Sequence, residues 1–219
     1  MKYRYKRNPY FYELFPNLDI VGWDMPVIKP TQNDVGEIMN LITFNYAKTC
    51  KNPSETYVCF YLDDYQFERV WKDPKTAIEI LKKFKGVIGP DFSVYRDFPY
   101  PLKLYNAWRN KVLTVLFQQA GINVIPNVQW ADLADCLYCF AGIPKNNVVA
   151  ISSNGCLKSK VTRQLFIEGF KMMQSILEPS KIIVIGQLPK ELAGETNVVQ
   201  YLGYSSKFGK TCHNLANKG

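Results

Sequence analysis

The chain has 219 residues, 47% of them hydrophobic and 21% charged, the balance of a globular domain long enough to bury a full core. No apolar run is long enough to span a bilayer, and the basic start is not followed by the apolar core of a cleaved secretory signal, so neither a membrane protein nor a secreted disulfide framework is expected. The net charge of +8 lies mostly at the ends, with Lys2, Arg4, Lys6 and Arg7 in residues 1–12 and Lys207, Lys210 and Lys218 in residues 203–219, neither stretch holding an acid; the body is near neutral, and total charge alone does not argue for a nucleic-acid groove.

In chain order, residues 1–12, MKYRYKRNPYFY, interleave cations with aromatic rings. That pattern suits an arm laid along nucleic acid, and equally a strap whose rings dock on the body. Residues 18–28 read as short extended pieces broken by Gly22 and Pro26. Residues 31–39 open with a capping signal and read as a short helix, and 41–44 as a strand. A clear alternation begins at 56. Residues 56–62 are an apolar, aromatic and β-branched run, ended by Asp63 and Asp64. A helical turn at 67–71 follows, then an amphipathic helix at 74–84 with Asp73 before a first-turn proline. Residues 87–88 are the next strand, ended by a polar turn that holds Asp91, Ser93 and Tyr95. Residues 102–120 place Leu104, Ala107, Trp108, Val112, Val115 and Leu116 at the three-and-four spacing of one buried helix face, stopped by Gly121. Strands at 122–128, 147–151, 181–185 and 197–202 then alternate with helices at 131–140 and 160–177.

Continuous apolar strands joined by helical crossovers predict a parallel sheet covered on both faces. The expected architecture is one α/β domain over residues 1–219, with a basic aromatic arm (1–12) and a basic tail (203–219). A compact or incomplete parallel β/α barrel of the TIM type is the first reading, and an open doubly wound sheet the alternative. The chain is short for a complete eightfold barrel, which usually takes about 250 residues.

Several chemistries are excluded or disfavoured. The only histidine is His213, in the tail, which removes a core Ser–His or Cys–His pair and a histidine-rich metal centre. The run 186–194, GQLPKELAG, lacks the spacing and the Lys-Ser/Thr of a phosphate loop. Six cysteines are present. Cys136 and Cys139 form a C-x-x-C, but no second pair or histidine stands near to complete a zinc site, and buried reduced thiols are expected.

What remains is a set of carboxylates and amphipathic side chains at the carboxyl ends of parallel strands, where ligands bind in such folds. Asp63 and Asp64 end one strand and Asp91 the next. If the two are neighbours, about 4.8 Å apart, a pair of carboxyls can approach to about 5–9 Å, the range of two-carboxylate glycoside cleavage. The same acids suit Mg²⁺ in phosphoryl or nucleic-acid chemistry. Ser93, Tyr95, Gln129 and Trp130 are candidate ligand contacts, and Asn106 with Arg109, one turn apart on the long helix, can orient a ligand or the Asp91 turn. Each has a plainer reading: strand-end aspartates cap helices and close turns, Arg109 can simply hold the Asp91 turn, and Trp130 can be core.

Taken together, FYLDDYQFERVWKDP from Phe60, FKGVIGPDFSVYRDFP from Phe84 with its PDFSxY core, YNAWRNK from Tyr105, GINVIPNVQW from Gly121 and VVAISSNG from Val148 resemble an uncharacterised family of bacteriophage and mobile-element proteins. The resemblance spans residues 42–186. It implies a cytoplasmic protein of a bacterial or phage-infected host cell and supplies no activity. The segment CLYCFAG from Cys136 departs from the expected pattern. Two functions follow as expectations: a hydrolase or transferase on a sugar, nucleotide or nucleic acid, worked by Asp91 with Asp63 or Asp64; or a non-catalytic protein that binds nucleic acid or a host protein through its basic aromatic ends.

Overall fold

The computed structural model describes residues 18–31, 35–36, 38 and 40–201. The basic arm, the basic tail and most of the 31–39 stretch lie outside the described residues. Those of that stretch that are described, Thr31, Val35, Gly36 and Ile38, are not helical, so the helix expected there is corrected at those four positions.

A two-residue antiparallel hairpin comes first, β1 (Ile20–Val21) with β2 (Met25–Pro26). The parallel strands follow: β3 (Asn40–Thr43), β4 (Thr56–Cys59), β5 (Gly86–Ile88), β6 (Val124–Ile125), β7 (Val148–Ser152), β8 (Lys181–Ile185) and β9 (Val198–Tyr201). The ladders run β3-β4-β5-β6 and β7-β8-β9, every pair parallel. One parallel bridge, Asn127 to Ala150, joins the two groups. Strand β6 is shorter than its apolar run because Pro126 has no N–H to give. Its carbonyl still accepts from the Ala150 N–H at 2.9 Å, and the Val128 N–H donates to the Ala150 carbonyl at 2.8 Å. The spatial order is the order of the sequence throughout. No ladder closes β9 onto β3 among the described residues, so a mixed α/β fold with parallel sheets is present without a complete barrel.

The helices are α1 (Glu68–Lys72), α2 (Pro74–Leu81), α3 (Tyr100–Gln119), α4 (Cys136–Phe140) and α5 (Lys160–Leu177). The Asp73 side chain accepts from the Thr76 N–H and caps α2, and Ser159 forms a reciprocal capping box with Thr162 at the start of α5. Side chains alternate along each strand. Val58, Val87 and Val124 pack with α1, α2 and α3, and Val149, Ile151, Ile182 and Val184 pack with α4 and α5. The opposite set, Leu41, Tyr57, Cys59, Ile88, Ile125, Ala150, Ile183, Ile185 and Tyr201, forms a separate cluster. That cluster contains residues from β3 to β9 and none from a helix. Among the described residues helices therefore cover one face of the strands, not both as the sequence predicts. The inner face buries itself instead.

The described residues before β3 bond to the strands around that inner cluster. Thr31 Oγ1 donates to the Val124 carbonyl and its N–H to Asn147 Oδ1, both at 3.2 Å. Lys181 Nζ donates to the Gly36 carbonyl at 3.4 Å, and the Ile38 N–H to the Tyr201 hydroxyl at 3.1 Å. Val35 and Ile38 join the inner cluster. Three of the partners, Val124, Asn147 and Lys181, stand at the amino ends of β6, β7 and β8, and the fourth, Tyr201, is the last residue of β9 and reaches Ile38 through its hydroxyl.

Helix α3 is buried nearly all round, with Lys103, Asn106, Arg109, Asn110, Lys111 and Thr114 buried beside its apolar stripe. Each polar group is bonded: Lys103 to Asp135, Lys111 to the carbonyls of Tyr138 and Cys139, and Asn110 to both backbone groups of Phe92. Among the described residues Cys50, Cys59, Cys136, Cys139 and Cys156 are free thiols. Burial pushes Cys136 and Cys139 up to about 12, so neither is a thiolate. No described helix is long and apolar enough to cross a membrane.

The contact of α5 with the β6 loop gives a first testable point. Trp130 stacks on Phe166 at 5.5 Å, and its Nε1 donates to the Leu165 carbonyl at 3.2 Å. A Cβ on Gly169 would overlap the indole. Gly169→Ala is expected to destabilise the protein by about 1–3 kcal/mol, although alanine favours helix, and to change the Trp fluorescence. A stabilising effect in urea unfolding would refute the close approach.

Candidate functional site

A cavity of about 890 Å³ opens over the carboxyl ends of the strands, within the range of small-ligand sites. The loops after β3, β4, β5, β6 and β7 all contribute to its lining. Of the nine side chains singled out from the sequence, Asp63, Asp91, Ser93, Tyr95, Gln129 and Trp130 line it. Asp64, Asn106 and Arg109 are not in the lining.

Those three brace the wall. The Asp64 carboxylate accepts from the Ser93 N–H at 3.1 Å and from its hydroxyl at 2.8 Å. Asn106 Nδ2 donates to the Ser93 carbonyl at 2.6 Å, and Arg109 Nε to Asn106 Oδ1 at 3.0 Å. The Arg109 guanidinium pairs with Glu68 at 2.9 Å and Asp64 at 3.9 Å, and lies over the Phe92 ring at 3.4 Å. Arg109 thus holds the turn after β5 through Asp64, Glu68 and Phe92; no bond to Asp91 is formed. Burial raises the pKa of Asp64, against the lowering effect of the Ser93 bonds and of Arg109.

Asp91 is set differently. It is the third residue past β5, where the chain leaves the sheet and has no ladder partner. Its Oδ1 accepts from Asn127 Nδ2 at 2.8 Å. The same amide nitrogen donates to the Pro90 carbonyl at 3.2 Å. A carbonyl only accepts, so the Asn127 nitrogen must face this side and its oxygen must face the other, where it accepts from the Tyr61 hydroxyl at 2.9 Å. Burial pushes Asp91 up to about 7; the Asn127 bond opposes this and the charge of Asp64 adds to it. Burial, then the charges of Asp91 and Cys59, raise Tyr61 well above the usual phenol value. Tyr61 therefore stays a donor at any physiological pH. Cys156, also on the lining, is pushed up to about 11 by burial and by Asp91.

The remaining predicted residues divide. Asp63 is exposed at the mouth and accepts from Gln66 Nε2 at 3.3 Å. Tyr95 is 53% exposed and stands edge-on to Phe98 at 5.0 Å. Gln129 Nε2 donates to the Phe92 carbonyl at 3.2 Å, and Trp130 is fixed on α5 as described. Among the described residues no group of three or more His, Cys, Asp or Glu side chains is placed to hold a metal ion.

Sequence reasoning missed Tyr61, Asn127 and the loop after β7. Tyr61 and Asn127 are each the second residue past a strand end, the same rim rule that picked out Asp91. They were hidden inside runs read as continuous strand. The end of β7, the loop after it and the first turn of α5 bring Ser152, Asn154, Lys158 and Thr162 to the cavity, a polar run whose only sequence signal is its position.

No solved structure matches the chain. The "Gene 1 protein" of Mycobacterium phage L5 is 36% identical over 129 residues, covering 59% of this chain and 56% of that protein. The "Gene 1 protein" of Mycobacterium phage D29 is 36% identical over 129 residues, covering 59% of this chain and 48% of that protein. The chain thus matches about half the length of these curated relatives. The model of the family described as "Domain of unknown function (DUF4417)" matches residues 19–202, most of the described fold with its cavity, and the chain belongs to that family.

Proposed function

We propose that the chain is an enzyme, a hydrolase or transferase acting on a small ring-bearing substrate in the cavity, with Asp91 as the general acid and base. The observation that carries this reading is the setting of Asp91: a carboxyl on the lining of a large cavity, held through one oxygen by Asn127 and raised to about 7 by burial. A group with its pKa near the working pH both gives and takes a proton readily. Asp63 supplies a second carboxylate on the same lining. Asp64 positions the turn through Ser93. Sugars, nucleotides and nucleic-acid ends all have the bond and the ring such a site serves.

The architecture fits this use. We read β3 to β9 as an incomplete barrel: sequential parallel strands, helices to one side and a shared inner cluster. Ligands in such folds bind at the carboxyl mouth. Kinship with phage proteins supports action in the cytoplasm of an infected host cell.

The test is turnover of a panel of nitrophenyl glycosides, nitrophenyl phosphate esters and short single-stranded oligonucleotides by the full chain and by Asp91→Asn. Activity that Asp91→Asn abolishes supports the reading; activity that survives it, or none on any member of the panel, counts against it. A second measurement probes the setting of the acid. Asn127→Leu removes the donor that favours the ionised form, so the Asp91 pKa should rise above 7 by about one unit. Carbon-detected titration of the carboxyl would show this, and an unchanged or lowered value would contradict it.

A further inference from the structure

The charged side chains on the cavity lining are Asp63, Asp91 and Asp97 and the cations Arg96 and Lys158. Asp63 belongs to the loop after β4, and its neighbour Gln66 bonds Asn45 after β3. On the other side Arg96 leans toward the loop after β6, where its Nε donates to Asp132 at 3.1 Å. Lys158 follows β7 and shares the lining with Thr162 of the first turn of α5. From β4 to β7 is three strand spacings, roughly 14 Å. Both cations line the cavity, and Lys158 makes no ion pair among the described residues. That is unlike Arg96, Lys103, Arg109 and Arg163, which are matched with carboxylates. Tyr95 is on the same lining, half exposed, its ring nearly perpendicular to Phe98 at 5.0 Å, and an exposed aromatic ring suits contact with a planar ligand.

We infer that the cavity takes a nucleoside phosphate, its phosphate beside Lys158 and Arg96 and its base or sugar ring against Tyr95 toward the acid side. This rests on the reading of the cavity as the working site and specifies its substrate class. The orientation is imposed by charge. A phosphate at the other end would face Asp63 and Asp91, whereas beside Lys158 it meets an unmatched cation. The amino end of the eighteen-residue helix α5 adds its positive dipole at the same place. The ligand's neutral part then reaches Asp91, the group able to exchange a proton with it. Neutral sugars use only half of this lining, and inorganic phosphate only the other half.

Isothermal titration of the full chain at low salt, with the four common ribonucleoside 5′-monophosphates, the matching nucleosides and inorganic phosphate, tests this. At least one nucleotide should bind tenfold or more tightly than its nucleoside and than phosphate. Lys158→Glu, a change at an exposed position, should weaken that nucleotide about tenfold or more and leave the nucleoside as it was. Tyr95→Ala should weaken both. Equal binding of nucleotide and nucleoside, no binding of either, or indifference to Lys158→Glu would overturn the inference. Asp91→Asn separates it from the acid–base reading. Nucleotide affinity kept with turnover unaffected sinks the role of Asp91 and spares the phosphate subsite. Turnover of an unphosphorylated substrate lost in Asp91→Asn, with no nucleotide bound by the wild type, sinks the subsite and spares Asp91.

Discussion

Asp91→Asn should slow turnover by about 10²–10⁴-fold, the usual contribution of a positioned acid–base group, and at the same time make the protein more stable above neutral pH. The second effect follows from linkage. The unfolded carboxyl titrates near 3.8, whereas in the folded protein it titrates near 7. Between those values the folded state binds more protons than the unfolded state, so stability falls as pH rises from about 4 to about 7 and is level beyond. Asparagine has no charge to bury, and its amide oxygen can still accept from Asn127. The variant should therefore gain on the order of 3 kcal/mol over the wild type at pH 8 and almost nothing at pH 4. Urea unfolding at the two pH values measures this directly. A difference that does not change with pH would mean that Asp91 is ionised and solvated in the folded state, and the case for it as acid and base would collapse. Gain of stability with loss of turnover is the pattern expected where an active site holds a group in a costly environment.

The second large effect is expected at Arg109. Its guanidinium serves Asp64, Glu68, Asn106 and the Phe92 ring together. Arg109→Met keeps much of the volume and removes the charge, leaving two carboxylates close together without their cation. Uncompensated partners of a buried pair typically cost about 3–5 kcal/mol. The lower end applies here, about 3 kcal/mol, because the Asp64 and Glu68 side chains keep 27% and 33% of their exposure. Arg109→Lys restores a charge but not the fork or the stack on Phe92, so its loss should be intermediate. The turn after β5 carries both Ser93 and Asp91, and its amide exchange should speed up in both variants. A loss of less than about 1 kcal/mol in Arg109→Met, with amide protection unchanged, would remove Arg109 as the brace of the site.

The sequence by itself determined the ladder of elements from β4 onward. Apolar β-branched runs such as 181–185 and the amphipathic period of 160–177 are local signals, written in adjacent residues, and both reappear at those bounds in the structure. It also determined where to look, because Asp63, Asp91 and Ser93 follow strand ends. Local pattern has no means of specifying what lies across the sheet. Only the tertiary structure placed the described helices on one face, since either side of a buried strand reads as apolar. Only the tertiary structure separated Asp91 from Asp64: both follow strands, but Ser93, brought 29 positions along the chain, ties Asp64 into a turn, while Asn127, 36 positions away, holds one oxygen of Asp91 at the cavity wall. The pKa of a carboxyl depends on the water and charge around it. Those are supplied by residues distant in sequence, and folding alone brings them together.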